Sequence, residues 1–457
     1  MKLILLSGGS GKRLWPLSND SRSKQFLKVL RDEDGNPESM LQRIWRQIHS
    51  VGLENFTYIA TNKSQTDIIQ SQLSDTIPLI IEPDRRDTFP AISLASVYLH
   101  SVLNISLDEI VCIMPVDAYV EDSFFKTLLQ FENVLTDSEA SLALIGVQPS
   151  YPSEQYGYII PNINPSLPLT SSYMEVDHFI EKPDQYTAER LVNENALWNC
   201  GIFAFKLGFL IQYLADKKMP LQYKQLTNQY FNLPKRSFDY EIVEECSHIV
   251  AIPYKGTWRD LGTWSTLSEI LETPIVGKGM ISENSCNTHL INELNLPVIV
   301  TGLSNSIVVT SPDGILVADK LQSGQIKEFI ECYNQRPMYE ERRWGWYRVL
   351  DYSKLPDGNE VLTKRLKILA DKNLSYQLHC KRQEVWSIIS GEGVIIIDGA
   401  FKTVKPGDVI QIPVGTRHAL RATSDLEFIE VQMGSELIEE DIVRIYMTWE
   451  EIEENLK

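Results

Sequence analysis

The chain has 457 residues, of which 43 are Lys or Arg and 61 are Asp or Glu, giving a formal charge of −18. That balance excludes a general nucleic-acid binder, which needs a basic footprint, and adhesion to an anionic membrane surface. Hydrophobic residues at 43% and charged residues at 23% are the proportions of a folded globular protein, so disorder is excluded as the main state, and the length suggests about three domains.

No apolar run approaches the roughly 18 residues that span a bilayer. The N-terminal MKLILLSGG runs into glycines too soon for a signal peptide and reads as a buried first strand. Cys112, Cys200, Cys246, Cys286, Cys332 and Cys380 are spread singly, which suggests neither a disulfide framework nor a cysteine zinc site. A reduced, cytoplasmic protein is expected.

Along the first half, strand-like apolar runs alternate with helical patterns. KLILLS (2–7) precedes a glycine turn, and SMLQRIWRQIHSV (39–51) has apolar residues at helical spacing. FTYIAT (56–61) and IPLIIE (77–82) are strand-like, AISLASVYLHSVL (91–103) is helical, and IVCIMPVD (110–117) and SLALIGV (141–147) are strands. This alternation predicts an α/β unit with a mostly parallel, doubly wound sheet covered on both faces. After about residue 275, PVIVTG, SIVVTS and GILVAD suggest a small β layer or solenoid-like coils, closed by a helix at 321–335. From about 360 to 433, RLKILA, EVWSIISG, GVIIIDG, FKTVKPGDVIQIP and EFIEVQMG predict an all-β sandwich or jelly roll.

The first strand leads into Gly8-Gly9-Ser10-Gly11-Lys12-Arg13. This fits neither a Walker A loop nor a dinucleotide fingerprint, because Leu6, Arg13 and Leu14 stand where those motifs need other residues. It remains a glycine turn with two cations at a strand end, where backbone N–H groups can approach phosphate and Arg13 can fork onto its oxygens. The run continues as Trp15-Pro16-Leu17-Ser18 and Ser23-Lys24-Gln25-Phe26-Leu27. The stretch GGSGKRLWPLSNDSRSKQFL resembles the signature loop of sugar-phosphate nucleotidylyltransferases, most of all the mannose-1-phosphate guanylyltransferase family.

That resemblance implies a Rossmann-like, doubly wound mixed sheet over residues 1–275. It implies Gly8, Gly9, Gly11 and Lys12 on the nucleotide, with Arg13 and Lys24 contacting the triphosphate and the sugar phosphate. Asp117 in MPVDAYV and Asp260 in GTWRDLGTW match the two aspartates that hold Mg²⁺ in the family, a cation suited by one or two carboxylates plus substrate phosphates. Glu82-Pro83 and Arg85-Arg86-Asp87-Thr88-Phe89-Pro90-Ala91 match the base region and assign Glu82 and Arg86 to the nucleotide. Asp87 and Phe89 stand where the family commonly has Asn and Ala, which bears on the choice of base and sugar. Tyr156-Gly157-Tyr158-Ile159, Phe179-Ile180-Glu181-Lys182-Pro183 and Trp198-Asn199-Cys200-Gly201-Ile202-Phe203 assign Gly157, Glu181, Lys182 and Asn199 to the sugar. Ser237-Phe238-Asp239-Tyr240-Glu241 resembles the segment before the second metal aspartate. The substrates implied are GTP and a sugar 1-phosphate.

In the β-rich C-terminal part, Gln377-Leu378-His379 alternates as a strand would, Glu384 enters the next strand, and His418 follows Pro413. Imidazole, carboxylate and amide donors suit a divalent metal such as Zn²⁺. This part resembles a cupin, close to the type II phosphomannose isomerase domain fused to bacterial guanylyltransferases. The resemblance implies a cupin jelly roll over 336–457 after a left-handed β-helix-like segment over 276–335, and maps the ligand set onto Gln377, His379, Glu384 and His418. Cys380, Lys381 and Val385 stand where the family usually has His. Three readings of this domain stay open: a metal site with fructose 6-phosphate/mannose 6-phosphate isomerase activity, a metal site without it, and a structural cupin that packs on the catalytic domain or makes a homodimer. For the whole chain, rivals to mannose 1-phosphate guanylyl transfer are a guanylyltransferase for another sugar and a non-catalytic sugar-nucleotide sensor.

Overall fold

The computed structural model describes residues 1–9, 12–162, 172–330, 332–333, 336–439 and 441–456, with only the backbone of Lys12. The chain divides into two compact units. One comprises Met1–Leu14, Ser23–Thr66 and Thr76–Glu272, and the other Trp15–Arg22, Asp67–Asp75 and Thr273–Lys457. Among the described residues, no helix is long and apolar enough to cross a membrane.

The first unit is built on a nine-stranded sheet. Its strands are β1 (Lys2–Leu6), β2 (Thr57–Asn62), β3 (Leu79–Glu82), β4 (Ile110–Pro115), β5 (Leu142–Val147), β6 (Tyr158–Pro161), β7 (Met174–Ile180), β8 (Leu197–Lys206) and β9 (Ile249–Tyr254), in the order β3-β2-β1-β4-β8-β5-β9-β7-β6. The first four strands are parallel, as the alternating pattern requires. Beyond them β8 runs antiparallel to both neighbours, and β7 pairs antiparallel with β9 and β6, so the sheet is mixed. IPLIIE yields a strand only from Leu79, because Pro78 has no N–H for the ladder. Helix α1 (Met40–Ser50) starts on a capping box between Ser39 and Gln42. Helix α2 (Thr88–Ser101) is buried from Phe89 to Val97, and its near-continuous apolar surface packs in one core with β1, β4, β8 and α3 (Leu207–Asp216).

The parallel strands end on one edge. Leu6 lies opposite Pro115 and Ala60, and Asn62 opposite Glu82. The glycine turn after β1, Gln65 after β2, Glu82 at the end of β3 and Asp117 after β4 therefore emerge together. This is where open α/β sheets bind ligands. A short ribbon completes the edge. Ala118–Val120 pairs antiparallel with Trp258–Asp260, and Asp260 lies opposite Ala118.

In the second unit, β10 (Ile275–Gly277), β12 (His289–Asn292) and β14 (Ser306–Ser311) stack in parallel, as do β11 (Gly279–Ile281) and β13 (Val298–Val300). This is the coil-like layer that the sequence pattern suggests. Strand β15 (Gly314–Asp319) closes it antiparallel to β14. Gly277 has φ +90°, and a Cβ there would lie 2.0 Å from the carbonyl oxygen of Asn292. Segment Trp15–Arg22 belongs here through the forked pair of Arg22 with Glu293 and the bond from Ser311 Oγ to Pro16 O. The helix expected over 321–335 is a 3-10 turn, Leu321–Gln325, followed by the short α4 (Ile326–Ile330). Gly324 lies inside it and Ser323 Oγ bonds Lys320 O, both unfavourable to an α-helix. Residues 331, 334 and 335 lie outside the described residues.

The remaining strands are β16 (Tyr339–Arg342), β17 (Gly345–Lys354), β18 (Glu360–Ile368), β19 (Tyr376–Leu378), β20 (Arg382–Ser390), β21 (Gly393–Ile397), β22 (Ala400–Val404), β23 (Val409–Ile412), β24 (His418–Ala422), β25 (Leu426–Gly434) and β26 (Val443–Tyr446). They form a six-stranded sheet, β16-β17-β18-β25-β20-β23, and a five-stranded one, β22-β21-β24-β19-β26. One core joins them, with Leu362, Trp386, Ile412 and Phe428 from the first and Ile395, Val404 and Leu420 from the second. FKTVKPGDVIQIP is two strands, divided at Pro406-Gly407.

Asn292 is buried and ties the coils together. Its Nδ2 donates to the carbonyls of Lys278 and Leu296, and its Oδ1 accepts from Leu294 N and Thr310 Oγ1. Asn292→Ala leaves these groups unpaired and is expected to cost about 3 kcal/mol. Calorimetry should show this as a lower melting temperature for the second unit.

Candidate functional site

Lys24 stands on a 3-10 turn, Lys24–Phe26, and its ammonium lies 2.8 Å from Asp117 Oδ2 and 2.9 Å from Asp260 Oδ1. Burial alone would lower the lysine's pKa. The two carboxylates outweigh it and hold the pKa above its ordinary value. Three residues far apart in sequence, each assigned to the site from sequence, thus meet at one point.

A cleft of about 590 Å³ opens there. Its lining includes Asp117, Tyr156, Gly157, Glu181, Asn199, Asp239, Trp258 and Asp260. Three of the four residues assigned to the sugar, Gly157, Glu181 and Asn199, therefore line the same cleft as the aspartate pair. The fourth, Lys182, donates to Glu181 Oε1 at 2.6 Å. Gly157 has no room for a side chain, since a Cβ would lie 2.4 Å from both Glu181 Oε2 and Phe179 Cζ. The amide of Asn199 is fully oriented. Its Nδ2 donates to Asp239 Oδ1 at 2.7 Å, and its Oδ1 accepts from Gly201 N at 3.1 Å.

Asp239 was not among the residues assigned a role from sequence. It starts a π-helical turn, Asp239–Val243, an irregularity common at functional sites. Burial, then the nearby Glu181 carboxylate, raises its pKa, and burial also raises that of Glu181. The pair retains a proton at pH values where exposed carboxyls have lost theirs.

The glycine turn is held from below. Gly9 O accepts from Ser23 Oγ at 2.7 Å and from Gln65 Nε2 at 3.1 Å, and Gln65 Nε2 also reaches Ser23 Oγ. A Cβ on Gly8 would meet Glu82 Oε1 at 3.0 Å, so the turn rests on that carboxylate. Glu82 is buried, bonded by the Tyr230 hydroxyl at 2.8 Å, and its pKa is pushed up to about 7, chiefly by burial. Arg13 is exposed at the mouth of the turn. Gly11 and the side chain of Lys12 lie outside the described residues. Arg86 lies over the Phe231 ring and donates to Leu233 O.

In the second unit, His379, Glu384 and His418 offer ligand atoms within 4.8 Å of one another. His379 Nδ1 bonds the carbonyl of Asp441 and His418 Nδ1 that of Thr416. This sets both ring tautomers, and the buried Nε2 atoms have no hydrogen-bond partner among the described residues. Burial, then the charge of Arg382, lowers the pKa of His379 to about 4, and burial lowers that of His418. The Nε2 atoms of His379 and His418 lie 3.2 and 3.8 Å from the Glu384 carboxylate oxygens without a hydrogen bond, a donor set that fits a divalent metal, and backbone carbonyls on Nδ1 are its usual support. Gln377 lies opposite His418, but its amide oxygen accepts from Ser375 Oγ at 2.7 Å.

Around Glu384 lies a polar core in which sequence reasoning gave no residue but Glu384 a role. Arg382 Nε, Gln432 Nε2 and Trp386 Nε1 all donate to Glu384. Trp386 and Gln432 also donate to Glu430, whose pKa is raised by burial and by Glu384. The signal was strand alternation. Arg382, Glu384 and Trp386 share one face of β20, and Glu430 and Gln432 share the facing side of β25.

Comparison with known proteins places the two parts of the chain in families. A family model described as "Nucleotidyl transferase" matches residues 2–274, and one described as "Mannose-6-phosphate isomerase C-terminal" matches residues 332–447. The chain belongs to the nucleotidyl transferase family. Within it, the chain groups with the mannose-1-phosphate guanylyltransferases. It is 30% identical to that of Escherichia coli (strain K12) over 480 residues, covering 96% of this chain and 97% of that protein. Its similarity to the alginate biosynthesis protein AlgA of Pseudomonas aeruginosa is 28% over 482 residues, covering 97% and 95%. A crystal structure from Thermus thermophilus, named mannose-1-phosphate geranyltransferase, shares the fold with a TM-score of 0.59 at 23% identity, covering 72% of this chain and 98% of that one.

The Asp239–Glu181 pair has a measurable consequence. A carboxyl whose folded pKa lies above its unfolded value costs stability as pH rises from the unfolded pKa through the folded one. Asp239→Asn removes that cost. It is expected to raise the melting temperature by a few degrees at pH 8 and hardly at all at pH 4, so the melting profile against pH should flatten.

Proposed function

We propose that the protein transfers a guanylyl group from GTP to mannose 1-phosphate, giving GDP-mannose and pyrophosphate. The observation that carries this reading is the Lys24–Asp117–Asp260 cluster in one cleft with Gly157, Glu181 and Asn199. The names of the full-length relatives supply the base and sugar. A sugar 1-phosphate is already an anion near neutral pH, its second pKa being about 6, so its oxygen needs no general base to attack the α-phosphorus in line. This fits a cleft whose lining, among the described residues, supplies carboxylates and the amides of Gln155 and Asn199 but no His or Ser.

The chain's part is positioning and charge. The backbone of the glycine turn, held by Ser23 and Gln65, receives the phosphates. Arg13 and Lys24 offset the charge that develops on the leaving pyrophosphate. Glu82, beneath the turn, faces the base. Glu181 and the oriented amide of Asn199 read sugar hydroxyls, and Gly157 leaves room for the ring. Mg²⁺ held by Asp117 and Asp260 would supply further charge neutralisation at the phosphates, and two carboxylates converging on one cation fit that ion.

The same proposal includes a division at 1–275, 276–335 and 336–457, with a left-handed β-helix in the middle part and a cupin jelly roll in the last. It also includes a cytoplasmic location and a homodimer, which sedimentation tests. A second reading is favoured by the buried His379–Glu384–His418 group and its polar surroundings. On this reading His379, Glu384 and His418 would hold a divalent metal such as Zn²⁺, and the domain would interconvert fructose 6-phosphate and mannose 6-phosphate. Under that reading, added Zn²⁺ should raise the melting temperature of the second unit, and His418→Ala should abolish both this shift and the isomerisation.

For the transfer reaction, Asp117→Asn and Asp260→Asn should each lower turnover by about a hundredfold or more, measured as pyrophosphate release. Gly157→Ala should raise the KM for the sugar phosphate well before that for GTP.

A further inference from the structure

The cluster at the mouth of the cleft gives Lys24 two jobs that exclude one another. Its ammonium bridges Asp117 Oδ2 and Asp260 Oδ1 at 2.8 and 2.9 Å. On the reading above, those carboxylates also hold a divalent cation, and Lys24 also reaches the phosphates. An ammonium within hydrogen-bond distance of both carboxylates and a dication bound to the same pair would be like charges a few ångström apart. Lys24 is 17% exposed and each aspartate 36%. The ribbon that pairs Ala118 with Asp260 holds the backbones of the two short aspartates side by side. Lys24, by contrast, carries its charge on four rotatable carbons and can leave.

We propose that Lys24 is an internal counter-cation that competes with the divalent metal for the Asp117–Asp260 pair, and that it is handed to the triphosphate when the metal enters. The device couples two binding events. The metal alone must break two ion pairs and leave an ammonium partly buried without a partner, so it binds weakly. A triphosphate arriving with the metal gives the ammonium a new anion, so the two bind cooperatively. The protein thereby favours the metal–nucleotide complex over either component alone.

The inference rests on the assignment of Asp117 and Asp260 to the metal, and the test separates the two. Mn²⁺ binding to the full-length protein without nucleotide is measured by electron paramagnetic resonance, counting only the site that Asp260→Asn removes. Lys24→Met is expected to tighten this site by at least about tenfold and to weaken the coupling between Mn²⁺ and a non-hydrolysable GTP analogue. Lys24→Arg should keep the weak binding of the native protein. Lys24→Gln, nearly as small a change, provides the same comparison if the Met variant folds poorly. Unchanged or weaker Mn²⁺ binding in the neutral variants, with the Asp260-dependent site still present, would overturn the exchange and leave the metal assignment standing. If Asp260→Asn removes no Mn²⁺ in any background, the metal assignment falls and the exchange falls with it.

Discussion

Two like charges held close together are the constraint on which the catalytic unit turns. The ribbon of Ala118–Val120 and Trp258–Asp260 brings a residue from the end of β4 beside one nearly 150 positions later. That pairing keeps the two backbone positions side by side. Such a pair calls for a cation, and the chain supplies one in Lys24. The parallel strands then determine what can gather around the charge. Because β1 to β4 end on one edge, the glycine turn, Gln65, Glu82 and Asp117 arrive together without any of them being neighbours in sequence. The side of the cleft lined by Gly157, Glu181 and Asn199 comes from the antiparallel part of the sheet, at β6, β7 and β8.

The second unit has the opposite arrangement. Its polar groups lie inside a β sandwich, where a charge without a partner is costly. The structure meets that cost with a closed network. Arg382, Trp386 and Gln432 donate to Glu384, while Glu430 shares two of the same donors. The two free imidazole nitrogens are the part of this core that the described residues do not satisfy. That remainder of unmet bonding, beside a carboxylate, is what makes the site read as a metal site and not only as a structural core.

Much of this was legible in the sequence. The strand–helix alternation gave the sheet, and the signature loop with its two later aspartates gave the cluster around Lys24. What stayed hidden was long-range. Asp239 lay in a segment matched only to the stretch before the second aspartate, and it was given no role until its bond to Asn199 placed it in the lining of the cleft. Gln65 carried no motif and holds the glycine turn from the 3-10 turn after β2. The reversal of β8 that makes the sheet mixed is not encoded in local patterns, and only the family resemblance implied it. The signature loop itself divides: residues 15–22 go with the second unit through Arg22 and Pro16, so only its two ends serve the cleft. In the second unit, His379 and His418 were visible as rare residues, while Arg382, Glu430 and Gln432 needed the register between β20 and β25 to show that they face one another.

The central claim is nucleotidyl transfer onto a sugar phosphate in the cleft beside Lys24, and pyrophosphate release tests it most directly. The purified protein would be given Mg²⁺, each of the four common nucleoside triphosphates, and the 1-phosphates of mannose, glucose, fucose and manno-heptose. The account predicts strong release with GTP and mannose 1-phosphate, lost in Asp117→Asn and Asp260→Asn. Release with no pair, or release that survives both substitutions, would contradict it.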